Sequence, residues 1–556
     1  MKLHPDYHYW PLLVWRISGS QGQRDVDSRH LRRYLQHLSR INRHSSRLAF
    51  GGSVIALLIT VIYILCLGGL LIYSLVELHL SWLHRRLARV TDTILTESDD
   101  RDLPAITVQL PLYNERHVAQ RLIDAVSQSD YPQDKLEIHV LDDSTDDTPV
   151  LVQQTLSQLA ARGFHVAHVR RTARDGFKAG ALRDGLAEAS SAFVAIFDAD
   201  FCPAPDMLRK SIAHFADPRV AVVQLRWAFL NERYSVLTRL QAFLLGAHFR
   251  LEQPARSMGH LFANFNGTAG IWRRSAIDDA GGWRADTLTE DLDLSYRAQL
   301  KGWRIVYLEH QTCDCELPVD MDGFRSQQYR WMKGGAENAR LHLVRILRST
   351  QPWRVKLHAC THLLASSLYV LTVGAILSGI TLGFMDHSAL DAVGVRYGWP
   401  LLLTSLALWA VFYEAHRPRG LFGLARFSVT MTGFFALSLA ISLHNATAAV
   451  SGWLGLRSEF VRTPKYGVVG EHGDWANTDY ASRKVASLVW AEIALLIAAA
   501  SSLASGWQRG DFTFFALEVP LVVGLTGTIG LSLLHVARAR LNVAPRLQGS
   551  SATPTR

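Results

Sequence analysis

Two aspartates separated by a single residue, Asp198 and Asp200, follow the uninterrupted apolar run Phe193-Val194-Ala195-Ile196-Phe197. Alternate residues of an extended segment face the same side, so both carboxylates can be turned toward one cation. Their hard oxygens suit Mg²⁺ or Mn²⁺, ions that neutralise a nucleoside diphosphate as it departs. An isolated Asp-x-Asp reads more simply as a solvated turn; the buried strand before it, and three further signals, favour the metal. Asp142 and Asp143 close another apolar run, where carboxylates can meet uracil or guanine edges, ribose hydroxyls or the same cation. Asp146 to Thr148, just beyond, read as helix caps.

The third signal, Thr289-Glu290-Asp291, comes after Gly281-Gly282-Trp283 and opens the amphipathic stretch Leu292–Leu300. Group transfer with inversion needs one base to take the acceptor hydroxyl's proton. Retention through a double displacement would need a second positioned carboxylate as nucleophile. The competing reading is helix capping, because threonine followed by acids suits a helix start. In the fourth, Gln327-Gln328-Tyr329-Arg330-Trp331, the Arg330 guanidinium can fork onto diphosphate oxygens and Trp331 offers a flat face for a sugar ring. A buried indole beside a surface arginine is the ordinary alternative; the position just upstream of long apolar segments favours acceptor binding.

Delivering these groups to one edge is a task for alternating strands and helices. Ala105–Pro111, Leu136–Leu141 and Phe193–Phe197 read as short buried strands, with helical patterns at Glu115–Gln128 and Pro149–Arg162. That alternation predicts an α/β domain with a mainly parallel sheet. Ligands of such sheets bind beyond the carboxyl ends of the strands, where both aspartate pairs fall. The expected organisation is a polar N-terminal segment (1–48), a transmembrane helix (49–76), the soluble domain (100–345), a second apolar region (354–540) and a disordered tail (541–556).

Composition fits this division. The chain has 556 residues, 49% hydrophobic and 19% charged, too long for one core and too polar for a pure bundle of spans. A net charge of +9 suits anionic lipid and nucleotide partners, and equally arginine-rich membrane flanks. The five cysteines are odd in number, and Cys313-Asp314-Cys315 is too tight for a typical zinc pair, so reduced thiols are expected.

Ala359–Met385, Gly398–Ala415, Val485–Ser505 and Phe512–Val536 read as spans, whereas Phe427–Val450, with His444, Asn445 and several hydroxyls, reads as a helix lying at the interface. Arg417, Arg419, Arg426, Arg457 and Arg462 then share one side. The N-terminus conflicts with this scheme: a single crossing at 49–76 puts its arginines on the opposite side, and the sequence leaves its orientation open.

The four signals, with Gly176-Phe177-Lys178-Ala179-Gly180-Ala181-Leu182, Phe265-Asn266-Gly267-Thr268-Ala269-Gly270 and Glu316-Leu317-Pro318, resemble the processive branch of glycosyltransferase family 2, the cellulose synthases and cellulose synthase-like enzymes. Gln109-Leu110-Pro111-Leu112-Tyr113-Asn114-Glu115 and Leu141-Asp142-Asp143-Ser144-Thr145 are similar to the plant mannan and glucan-backbone synthases, with a bacterial relative of that group expected. The resemblance implies a GT-A-type domain inserted between transmembrane helices and a catalytic Asp291 with Glu290 beside it. It also implies a Mg²⁺ or Mn²⁺ site at Asp198 and Asp200. Nucleotide contacts would come from Asp142, Asp143, Lys178, Arg330 and Lys465, and acceptor contacts from Gln327, Trp331, Phe265, Asn266 and Gly267. Phe460-Val461-Arg462-Thr463-Pro464-Lys465 resembles the gating loop of cellulose synthases, with Arg462 where valine is usual, and implies a gating-like loop at 457–467 within the second apolar region.

The implied activity is processive, inverting β-hexosyl transfer from UDP-glucose or GDP-mannose to a translocated polysaccharide. The expected setting is a bacterial inner membrane with the catalytic domain cytoplasmic. Lipids are expected partners and nucleic acid is not; an accessory export subunit or a homo-oligomer stays open. Single transfer to a lipid acceptor and a transporter with a regulatory domain are the competing readings.

Overall fold

A computed structural model describes residues 28–87, 99–385, 399–458 and 460–541, with side chains from residue 54 onward. The expected polar segment up to residue 27 and the expected tail from 542 lie outside the described residues. The chain separates into two units, residues 1–58 and 59–556. Helix α1 (Ser28–Leu87) begins in the first unit and ends in the second.

In the second unit an eight-stranded sheet runs in the order β3-β2-β1-β4-β7-β6-β8-β5. Its strands are β1 (Ile106–Leu112), β2 (Leu136–Asp142), β3 (His165–Val169), β4 (Phe193–Ile196), β5 (Cys202–Pro203), β6 (Val220–Phe229), β7 (Gly270–Arg273) and β8 (Arg304–Cys315). The first four in space are parallel, β7 runs antiparallel to β4 and β6, and β6 pairs with β8 in parallel. The mainly parallel α/β sheet expected from the sequence is therefore present.

Continuous apolar runs are what a sheet covered on both faces requires. Along β4, Phe193 and Ala195 enter one core with Ile106, Val108, Leu110 and Leu122. Val194 and Ile196 enter the other with Leu182, Trp272 and Leu294. Three helices lie close to these strands in sequence: α2 (Ala119–Ser127), α3 (Thr148–Ala161) and α4 (Phe177–Glu188). The amphipathic α2 buries Leu122, Ile123 and Val126 against the first core. Helix α5 (Val236–Ala247) follows β6, and α6 (Glu290–Leu300) precedes β8.

The long helix α7 (Met321–Arg348) starts where the Asp320 carboxylate caps Gly323 N–H at 2.8 Å. Beyond α7 a helix over Trp353–Leu363 leads into α8 (Leu368–Gly383), followed by α9 (Trp399–His416), α10 (Gly420–Ala440), α11 (Ser442–Trp453), α12 (Leu488–Arg509) and α13 (Phe515–Leu541). Among the described residues, five helical stretches are long and apolar enough to cross a membrane: Val54–Leu87, Trp353–Gly383, α10, α12 and α13.

Two segments take a local form other than the one expected. The run Phe427–Val450 is not one interface helix: it breaks at Ile441, and its first part belongs to α10, one of the five. Helix α9, expected as a span, is not among them; it ends in a polar turn where Glu414 pairs with Arg85 at 2.5 Å and Arg417 at 2.7 Å. Helix α11 instead packs against α7 through small and polar residues. A Cβ on Gly452 would lie 2.5 Å from Lys333 O, so only glycine permits that approach. His444 Nε2 lies 2.9 Å from Arg325 O, and Arg325 forms a buried ion pair of 2.6 Å with Glu492 of α12.

Candidate active site

The carboxyl ends of β1, β2 and β4, the start of α6, the first half of α7 and the loop 460–467 surround one cavity of about 170 Å³. Asp143, Lys178, Asp198, Asp200, Asn266, Gly267, Glu290, Asp291, Gln327, Arg330, Trp331 and Lys465 all line it.

Asp198 and Asp200 lie just beyond β4 in a turn closed by Phe201 N–H on Asp198 O at 3.0 Å, not in the extended segment expected. Asp198 is fixed by its N–H, which donates to Thr268 Oγ1 at 2.8 Å. Its carboxylate accepts from Lys178 Nζ at 2.5 Å, and the same ammonium donates to Gly267 O at 2.9 Å. Lys178 stands in the first turn of α4, entered through Gly176 at φ +70°. Asp200 accepts from Lys465 Nζ at 2.8 Å and from Glu316 N–H at 3.0 Å. Burial works to lower both ammonium groups, but the facing carboxylates outweigh it and hold both above the ordinary lysine value.

Asp291 lies in the first turn of α6. Ser295 Oγ donates to Asp291 O at 2.6 Å and accepts Phe265 N–H at 2.9 Å, tying this turn to the 265–267 loop. Thr289 stands at the N-cap position without a side-chain cap, its Oγ1 accepting from Asn338 of α7 at 3.0 Å, while Glu290 and Asp291 occupy the first turn, where acids also suit a helix start. Burial, and then the neighbouring Glu290, push the Asp291 carboxyl up to about 7, and burial raises Glu290 as well. A carboxyl near 7 is matched to taking and giving protons at neutral pH.

The Asp143 carboxylate receives a two-pronged clasp from Arg171, at 2.9 Å and 2.5 Å. Arg174 lies 3.4 Å over the Tyr113 ring, and Phe177 stacks on Phe460 with centroids 5.6 Å apart. These flat surfaces beside a carboxylate can hold a planar base.

Loop 460–467 closes over the cavity. Arg462 donates to Asn114 O, and to Tyr113 O at 3.0 Å. Thr463 Oγ1 accepts from Arg330 at 3.2 Å, and the Glu316 carboxylate takes the N–H groups of Tyr466 at 3.0 Å and Gly467 at 2.9 Å. Arg330 lies over the Phe460 ring at 4.9 Å, and burial brings its guanidinium below the ordinary value.

Two residues assigned from sequence do not belong to this set. Asp142 is buried and turned away: its carboxylate accepts Ser144 N–H at 2.9 Å and pairs with His168 at 3.0 Å. Strand alternation sends Asp142 and Asp143 to opposite sides. The Phe265 ring is wholly buried edge-on against Trp272, leaving only the loop backbone near the cavity. Conversely, Glu115, Glu316, Tyr113, Arg171 and Arg174 join the site although the sequence motifs assign them no role. Glu115, whose Oε2 has no hydrogen-bond partner, sits 3.5 Å from Arg462, and burial pushes it up to about 8. Glu115, Glu316 and Tyr113 lie in the motifs quoted above, whereas nothing local marks Arg171 or Arg174.

Residues 104–334 match the family described as glycosyltransferase like family 2. Glucomannan 4-beta-mannosyltransferase 1 of Oryza sativa subsp. japonica is 36% identical over 387 residues, 66% of this chain and 70% of that protein. Glucomannan 4-beta-mannosyltransferase 2 of Arabidopsis thaliana is 43% identical over 261 residues, 45% of this chain and 49% of its own length. The chain thus spans about half the length of several of the relatives it matches. A mannosyltransferase from Pyrobaculum calidifontis, solved in complex with GDP-Man and Mn²⁺, superposes with a TM-score of 0.50 at 22% identity, covering 72% of this chain and all of that one, and shares the fold. These sequence relatives are plant proteins and lend no support to the bacterial source expected above. The chain belongs to the glycosyltransferase like family 2.

Proposed function

We propose, with family membership as the premise, that this chain is a membrane-embedded, inverting β-mannosyltransferase. It takes mannose from GDP-mannose and extends a β-linked mannan or glucomannan that it also translocates. The observation that carries the reading is the convergence of Asp198, Asp200, Asp291 and Arg330 on one cavity beneath loop 460–467. The choice of mannose over glucose draws on the plant relatives' names and on the GDP-Man complex of the structural neighbour.

Position in the cavity supports a role for each residue. Asp291 takes the proton of the acceptor hydroxyl, its raised carboxyl being suited to that transfer. Glu290 and Lys178 set the local charge that tunes it. Asp143, clasped by Arg171, and the Tyr113–Arg174 face hold the nucleoside, while Lys178, Arg330 and Lys465 meet the diphosphate. Gln327, Trp331 and the Asn266-Gly267 turn seat the acceptor end.

Two carboxylates aimed into the cavity are a fitting donor set for Mg²⁺ or Mn²⁺, which characteristically take one or two protein carboxylates plus substrate phosphates. Asp198 and Asp200 would hold the ion, and when bound it supplies positive charge to the leaving diphosphate. Lys178 and Lys465 already neutralise these two carboxylates. The five apolar stretches support residence in a membrane.

The test is incorporation of labelled sugar by purified membranes, with GDP-mannose and UDP-glucose side by side and Mg²⁺ or Mn²⁺ present. Alcohol-insoluble, mannanase-sensitive product from GDP-mannose is expected. Polymer from UDP-glucose alone would overturn the donor assignment. Label confined to a lipid extract would overturn processive synthesis in favour of single transfer.

A further inference from the structure

A second cavity, of about 730 Å³, opens beside the first, and the two share Trp227 and Phe229 as a common wall. Its chemistry differs from its neighbour's. Arg226, Arg239, Arg250 and Arg426 stand around it against only two carboxylates, Glu232 and Asp314. Among the described residues no carboxylate forms an ion pair with any of the four. Arg226 donates to the backbone of Glu309 at 2.7 Å, and burial together with Arg250 brings its guanidinium below the ordinary value.

The floor is aromatic. Trp227 packs on Phe249 with centroids 4.9 Å apart, and Phe243 on Phe427 at 5.7 Å. One side is formed by the start of α10, a helix long and apolar enough to span a membrane. There Phe422 is 84% and Val429 74% exposed, and both face the cleft's surroundings without cover from the described residues. A neutral polysaccharide calls for stacking rings but not for a surplus of guanidinium groups. A phosphate head group on acyl chains answers both halves: the arginines fork onto phosphate oxygens and the apolar helix flank accepts the chains.

We infer that this cleft holds an anionic membrane phospholipid, with its head group at Arg239, Arg250 and Arg426 and its acyl chains along Phe422 and Val429 of α10. Through Trp227 and Phe229, the bound lipid braces one wall of the catalytic cavity. The inference rests on the membrane reading given above.

The experiment reconstitutes the full chain in phosphatidylcholine discs containing phosphatidylglycerol and measures the retained lipids by native mass spectrometry. The wild type should retain phosphatidylglycerol in preference to phosphatidylcholine. Replacing the exposed side chains together (R239Q, R250Q and R426Q) should weaken that preference about a hundredfold, at about fivefold per arginine near an anionic head group. A charge-matched control, R162Q with R183Q and R219Q, should leave it intact. An unchanged preference in the first variant, or equal loss in both, would overturn the site. Displacement of phosphatidylglycerol by inorganic phosphate alone would overturn the lipid as its source. A chain that enters discs yet shows no preference fails this inference only, whereas a chain that enters none overturns the membrane reading with it.

Discussion

Gly267 offers a sharp test of how closely the cavity is built. It sits at φ +80°, where a side chain is strained, and an added Cβ would lie 3.1 Å from Asp291 Oδ2 and 3.5 Å from Lys178 Nζ. Alanine there carries two separable penalties. The left-handed backbone costs about 1–2 kcal/mol. The contact also forces the Asp291 carboxylate back by a few tenths of an ångström. With a misplacement of about 1 Å worth about a hundredfold in rate, this predicts a loss of about three- to tenfold in kcat.

Gly302 isolates the first penalty, because its φ is +94° and a Cβ there meets nothing within 4 Å. Gly267→Ala and Gly302→Ala should therefore lower the melting temperature alike, by a few degrees on the order of 2–4 °C per kcal/mol. Only Gly267→Ala should lose kcat, measured by initial rates of sugar incorporation at saturating donor. Equal kcat in the two variants would refute the claim that position 267 is kept open for Asp291.

Asp291→Asn should cost about 10²–10⁴ in kcat/KM, and the wild type's rate should rise with pH through about 7, a limb the variant lacks. The same raised carboxyl makes the folded state bind its proton more tightly than the unfolded one. Its contribution to stability is thus lost as pH rises through about 7, and Asp291→Asn should be the more heat-resistant protein at pH 8 by thermal melt. Chelation by EDTA should abolish transfer and added Mn²⁺ or Mg²⁺ restore it; full activity in EDTA would remove Asp198 and Asp200 from the assigned role. Gly452→Ala places a Cβ 2.5 Å from Lys333 O and 2.8 Å from the Ala336 Cβ. It should destabilise the α7–α11 contact by about 1–3 kcal/mol, read as a lower melting temperature. Glu316→Gln sets an amide donor against one of two backbone N–H groups it now accepts, and should increase protease cutting within loop 460–467 in a limited-digestion assay.

Much of the catalytic half was legible because its signals are local. Apolar runs of strand length ended at Leu141 and Phe197, and the structure ends β2 and β4 within one residue of these positions. What failed, failed where a neighbour distant in sequence decided the matter. Alternation along β2 sends Asp142 and Asp143 to opposite sides, but only the fold decides which of them faces the cavity, by setting His168 against one and Arg171 against the other. The helix break at Ile441 has no proline or glycine to announce it; it falls where the following helix docks against α7.

By itself the sequence determined which strands carry carboxylates to a common edge, because an uninterrupted apolar run of strand length suffices to place a strand's end. The tertiary structure alone decided which cation meets which carboxylate. Lys465 reaches Asp200 across 265 residues of chain, and Lys178 reaches Asp198 only because α4 packs on β1 and β2, and β1 pairs with β4. Such pairings depend on distances of a few ångströms between segments whose separation along the chain sets no such limit, so they exist only once the fold has brought them together.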